Sequence, residues 1–168
     1  MKLFIPVKVT NPSGQLSIAE LLLGIDYVYT SSSTGTKFVN ISLWFPSGGT
    51  APTVDTALVN LANQGAKIFV IAGNGSANVV NFPMAHFNHS NIYVISAIDQ
   101  TNDNFASFSN FGATVDYAAP EVNVYSIYKN GGYTTMSGTS QASPHACGVA
   151  IMAKYKSMTY FFIMARSS

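Results

Sequence analysis

Residues 54–75 read VDTALVNLANQGAKIFVIAGNG. Val54, Ala57, Leu58 and Leu61 recur at helical spacing, and Gly65 stands where a helix C-cap glycine belongs. Lys67–Ala72 is then a nearly continuous apolar run, the pattern of a strand covered on both faces. A helix delivered through one glycine into such a strand is the repeating unit of a parallel sheet with helices on both sides. The flanking sequence repeats the alternation. On the N-terminal side, Ile5–Val9 reads as a strand ended by Asn11-Pro12-Ser13-Gly14. Ser17 with Glu20 forms a capping box, and Ile18, Leu21, Leu22, Ile25 and Val28 predict an amphipathic helix over about 18–29. Phe38–Leu43 is a further strand. On the C-terminal side, Tyr93–Ile98 and Val115–Ala118 read as strands, Asn130-Gly131-Gly132 as a hairpin turn, and about 140–155 as a last helix. The expected fold is therefore α/β: a three-layer, mostly parallel sheet with helices on both faces, in one domain over residues 1–168.

Composition agrees with one packed domain. The chain has 168 residues, 48% of them hydrophobic, which excludes a disordered chain. Only 9% are charged, so the 19 Ser, 13 Thr and 14 Asn must supply the polar surface. Eight Lys+Arg against seven Asp+Glu give no electrostatic footprint for nucleic acid or an anionic membrane. No stretch reaches the roughly 18 apolar residues of a membrane span, and MKLFIPVKV is not a signal peptide. The single cysteine, Cys147, excludes an internal disulfide framework and reads as a small buried hydrophobe.

Parallel sheets gather chemistry at the carboxyl ends of their strands. Three such segments stand out: Ser42-Leu43-Trp44, Ala72-Gly73-Asn74-Gly75, and Ser137–His145. In the third, Ser140 sits among small residues at a helix start. Free N–H groups and the helix dipole favour developing negative charge there. Pro144 is expected in the first turn, where its missing N–H costs little. Taken alone, a serine at a helix start is usually only a cap. Gly73-Asn74-Gly75 could also suggest a nucleotide loop, but it lacks the third glycine and the ribose carboxylate of that fingerprint.

The full string GTSQASPH, residues 138–145, resembles the nucleophile motif of the subtilisin family of serine endopeptidases. VNISLW, VIAGNG, NFASFSNFGATVDYAAP and IPVKVTNPSGQ resemble further segments of that family, in the right order over about residues 4–156, with a divergent tail over 157–168. The resemblance implies that Ser140 is the nucleophile and that Asn74, with the Ser140 N–H, stabilises the oxyanion. It implies that Ser42, Leu43, Trp44, Ala72 and Gly73 line the site of an extended polypeptide substrate or inhibitor. It also implies an export compartment and allows calcium, but this sequence gives the calcium no support, so no cofactor is expected. If these roles hold, the Asn74 side chain and the Ser140 hydroxyl should share one cleft, within about 10 Å of each other.

Two departures follow from the same resemblance. The family's Asp and His motifs are not in this chain. His145 lies about 140° around the helix from Ser140 and matches a structural position, and His86 and His89 lie in a loop. Asp99, Asp103 and Asp116 match non-catalytic segments. The missing aspartate strand would separate Ile5–Val9 from Phe38–Leu43, so those strands should either pair directly or leave open edges. A missing N-terminal segment then becomes an expected partner. The second departure is Trp44, where the family has glycine; a ring there should narrow the pocket beside the scissile bond. The expected activity is endopeptidase chemistry on Ser140. The alternative is an inactive fragment or pseudo-protease that binds extended peptides.

Overall fold

A computed structural model describes residues 4–11, 13, 15–32, 35–43 and 51–155. In chain order these form α1 (Ile18–Thr30), β1 (Phe38–Ile41), α2 (Pro52–Asn63), β2 (Lys67–Ile71), β3 (Ile92–Asp99), β4 (Asn104–Phe105), β5 (Tyr117–Pro120), the hairpin β6 (Val124–Ile127) and β7 (Tyr133–Met136), and α3 (Thr139–Tyr155). β1, β2, β3 and β5 pair in that spatial order and are all parallel. β4 adds two antiparallel pairs to the end of β3.

The period-2 alternation of the strands divides the core into two faces. Ile68, Val70, Ile92 and Val94 pack with Leu21 and Ile25 of α1 and with Val54, Leu58 and Leu61 of α2. Phe69 and Ile95 point to the other face and pack with Ala142, Ala146 and Cys147 of α3. The result is the three-layer arrangement expected, with α1 and α2 on one face and α3 on the other. Ser17 caps α1 as its spacing predicts: its hydroxyl accepts from Glu20 N (3.2 Å) and donates to Glu20 Oε2 (2.9 Å). Gly65 takes φ +89° just past the C-cap of α2, a conformation that favours glycine.

Three expectations need correction. Ile5–Val9 is not a strand: apart from a single bridge from Thr10 to Leu16, residues 4–11 form no ladder, and Phe4 is 89% exposed. A strand exists only through its neighbour, and β1 pairs with β2 alone among the described residues. Among the described residues nothing pairs with its outer edge. Residues 7–9 lie instead on α1, close enough that a Cβ on Gly24 would stand 2.4 Å from Val9 Cγ1. The strand read at Val115–Ala118 runs two residues later, because Asp116 turns its carboxylate onto Val94 N (2.9 Å) ahead of β5. Finally, Pro144 is the sixth residue of α3, not part of its first turn. Gly138 O accepts from Gln141 N and Ala142 N (2.9 and 3.4 Å), so the helix winds before Ser140.

Because Gly24 gives Val7 and Val9 their seat, Gly24→Val should overpack that contact. A loss of about 1–3 kcal/mol is expected, read from the urea midpoint, with cleavage by a probe protease rising around residues 5–9.

Candidate active site

β1 and β2 are adjacent and parallel, so the residues that follow them emerge side by side: Ser42-Leu43 after β1, and Ala72-Gly73-Asn74 after β2. The first turn of α3 meets them there through four contacts. Ser42 Oγ donates to Ser140 O (2.8 Å). Pro144 has no N–H, so the carbonyl four residues before it, that of Ser140, loses its helical donor; the Ser42 hydroxyl takes that place. Asn40 supports both sides of the junction, with Nδ2 donating to Ser42 Oγ (3.0 Å) and Oδ1 accepting from Ser143 Oγ (2.7 Å). Thr139, fully buried, donates from its N–H and from Oγ1 to Asn74 Oδ1 (both 2.9 Å), while its Oγ1 accepts from Gly73 N (3.2 Å).

These bonds orient Asn74. Its Oδ1 is occupied by two donors of Thr139, so its Nδ2 faces the other way, and a Cβ on Gly138 would lie 3.2 Å from that nitrogen. Gly138 has φ +150° and Gly73 +99°, and at Gly138 both the backbone and the space call for glycine. The Asn74 loop rests on Asn110, which is fully buried and has a partner at both side-chain polar atoms. Asn110 Nδ2 donates to Ala72 O (2.8 Å), and Oδ1 accepts from Gly75 N (2.9 Å) and Ala77 N (3.0 Å). Its N–H donates to Gly73 O (2.9 Å), and its carbonyl accepts from Ser96 Oγ (2.8 Å).

Beside Gly73 a small apolar pocket opens between Leu43, Ile71, Ala72, Phe82, Pro83, Met84 and Ala85. Met84 stands at φ +65°, held by its N–H on Asp55 Oδ1 (3.3 Å).

The three histidines are engaged elsewhere. His86 Nδ1 lies 2.9 Å from Phe82 O and its Nε2 3.6 Å from Asp55 Oδ2. His89 lies against Asn63 and Asn91 N. His145 Nδ1 is 2.5 Å from Glu121 Oε1. Asp99 closes its own turn, and the hydrogen bonds from Thr101 lower its carboxyl below the usual range. Burial pushes the Cys147 thiol up to about 11, as fits a packing residue. Among the described residues, no three His, Cys, Asp or Glu side chains converge as metal ligands.

The sequence profile of the subtilase family (peptidase S8) matches residues 3–160. The chain belongs to the subtilase family. Subtilisin DY of Bacillus licheniformis is 36% identical to it over 161 residues, covering 91% of this chain and 55% of that protein. M-protease of Shouchella clausii is 33% identical, covering 96% of this chain and 40% of its own length. Among solved structures, a cold-adapted subtilisin-like serine proteinase superposes with a TM-score of 0.77 at 32% identity, over 87% of this chain and 51% of that one. The subtilase chain thus spans about half the length of the curated relatives it matches.

Of the residues singled out in the sequence, the fold brings Ser42, Leu43, Ala72, Gly73, Asn74 and Ser140 together at the carboxyl ends of β1 and β2. Asn74 bonds directly to the residue before Ser140. Trp44 lies outside the described residues. Asn40, Asn110 and Thr139 were not singled out; all three stand inside the quoted segments, and a polar residue in an otherwise apolar or small-residue run is the signal that could have marked them.

Asn110→Ala would orphan the N–H groups of Gly75 and Ala77 and the carbonyl of Ala72. Ala72 is buried, whereas Gly75 is exposed and Ala77 half-buried, so the penalty of about 1–3 kcal/mol for a buried unsatisfied group applies mainly to the Ala72 carbonyl, and a loss of about that size is expected, measured by urea unfolding.

Proposed function

We propose that this chain is the nucleophile-bearing portion of a serine endopeptidase, with Ser140 attacking the scissile carbonyl. The observation that carries this reading is the fixed Asn74 amide. Thr139 holds its oxygen and so leaves Nδ2 to donate next to Ser140. In the reaction, Ser140 Oγ adds to the peptide carbonyl, and its proton goes to a base. The oxyanion is bound by Asn74 Nδ2 and the Ser140 N–H at a helix start. Collapse expels the amine with that proton and leaves an acyl-enzyme, which water then hydrolyses. Ser42-Leu43 and Ala72-Gly73 offer backbone to an extended polypeptide, as in strand addition. The pocket beside Gly73 has no charged lining residue among the described residues and suits a small apolar side chain. The reading calls for no cofactor, nucleic acid or membrane partner; no helix among the described residues is long and apolar enough to cross a membrane. By family resemblance the compartment is extracellular or another export compartment.

The base is the part not supplied. All three histidines have other partners, and none of their contacts reaches Ser140. By resemblance, the base and its orienting aspartate belong to an N-terminal segment that also fills the outer edge of β1. This same observation favours a second reading for the chain by itself, a non-catalytic peptide binder.

The two readings separate in one experiment. The chain alone is expected to give no useful turnover of a fluorogenic peptide and only slow labelling of Ser140 by a phosphonate. Fusion to the N-terminal segment of a relative should restore both. Equal turnover by the two proteins would refute the need for an added base, and inactivity of a folded fusion would favour the peptide binder. In the active fusion, Asn74→Ala should lower kcat about 10²–10³-fold, a magnitude known for this family's oxyanion asparagine rather than obtained from this chain.

A further inference from the structure

Glu121 follows β5 and is completely buried, although it is charged in its ordinary state. Its N–H donates to Ile98 O (3.0 Å), which fixes it to the end of β3, and its carbonyl accepts from Gly138 N (3.3 Å), the residue that opens α3. Its side chain reaches the same helix further along, with Oε1 2.5 Å from His145 Nδ1. One residue of the sheet therefore grips α3 on both sides of Ser140, by its backbone before it and by its carboxyl after it. Oε2 has no hydrogen-bond partner among the described residues. A buried carboxylate with an unpaired oxygen is costly unless a proton or a cation offsets its charge. His145 can supply either, since its ring is 56% exposed and open to exchange with solvent.

We propose that Glu121 and His145 form a proton-sharing clamp that positions the first turns of α3, and with them Ser140, and that loosens when the pair loses its shared proton. His145 is a positioning residue here, not a base. The consequence for catalysis rests on the reading of Ser140 as the nucleophile; the clamp itself does not.

Burial raises the Glu121 carboxyl to about 7, and the hydrogen bond and charge of His145 only partly oppose this. Among the described side chains, the other titratable groups on the elements packed around it are Tyr93 and Asp99 on β3, Tyr117 on β5, and Cys147 and Lys154 on α3; of all these groups His145 alone acts on it. A carboxyl raised in the folded state stabilises that state below its ordinary range. The stabilisation is lost as the pH climbs through about 7. The clamp is thus tight in mild acid and strained in mild alkali.

The test is amide hydrogen exchange of the 168-residue chain between about pH 5.5 and 8, corrected for intrinsic rates, comparing residues 138–147 with β2. Protection of 138–147 should fall roughly tenfold or more across that range, while β2 changes little. Glu121→Gln should flatten the dependence. Equal pH dependence in α3 and β2 of the wild-type chain would overturn the clamp even if the variant does not fold, and so would an unchanged dependence in a folded variant. Phosphonate labelling of Ser140 in the completed enzyme is scored separately, so a failed nucleophile and a failed clamp give different results.

Discussion

The carbonyl of Ser140 has lost its helical donor to Pro144, and the hydroxyl of Ser42 replaces it at 2.8 Å. A proline inside a helix ordinarily costs stability through that vacancy. Here the vacancy becomes a socket for the end of β1. The tie sets the height of α3 over the sheet, and Asn40 reinforces it by bonding both Ser42 and Ser143. With the helix held at that height, Thr139 can reach Asn74 and Gly73 together. The site is therefore the place where a helix with a missing bond is completed by a strand end.

The helices and the central strands were legible in the sequence because their signals are local. Val54, Leu58 and Leu61 repeat at helical spacing, and Lys67–Ile71 is apolar almost throughout. The nucleophile turn was legible for a similar reason, since its string is short and unbroken. What failed was non-local. Ile5–Val9 has strand composition and, among the described residues, no partner to make it a strand. Pro144 looked like a first-turn residue until the helix proved to start at Thr139, with Gly138 O accepting its first bond.

The supporting residues were hidden for another reason. Asn110 earns its place through bonds to Ala72, Gly75 and Ala77, which lie more than thirty positions away in sequence. No pattern along the chain encodes such a network. Glu121 is harder still to foresee. Acidic residues are rarely buried, and only the fold shows that its carboxyl lies under α3 facing His145.

The ties that build the site also span long stretches of chain: Ser42 to Ser140 across 98 residues, Asn40 to Ser143 across 103, and Asn74 to Thr139 across 65. Contacts of such separation form late, because the loop-closure entropy must be met before they contribute. The α1, β1, α2 and β2 region can collapse on its own apolar face as soon as it is synthesised. The site cannot, for its last pieces arrive with α3. During synthesis the nascent polypeptide therefore carries no assembled Ser140–Asn74 junction until nearly all of the described fold has left the ribosome.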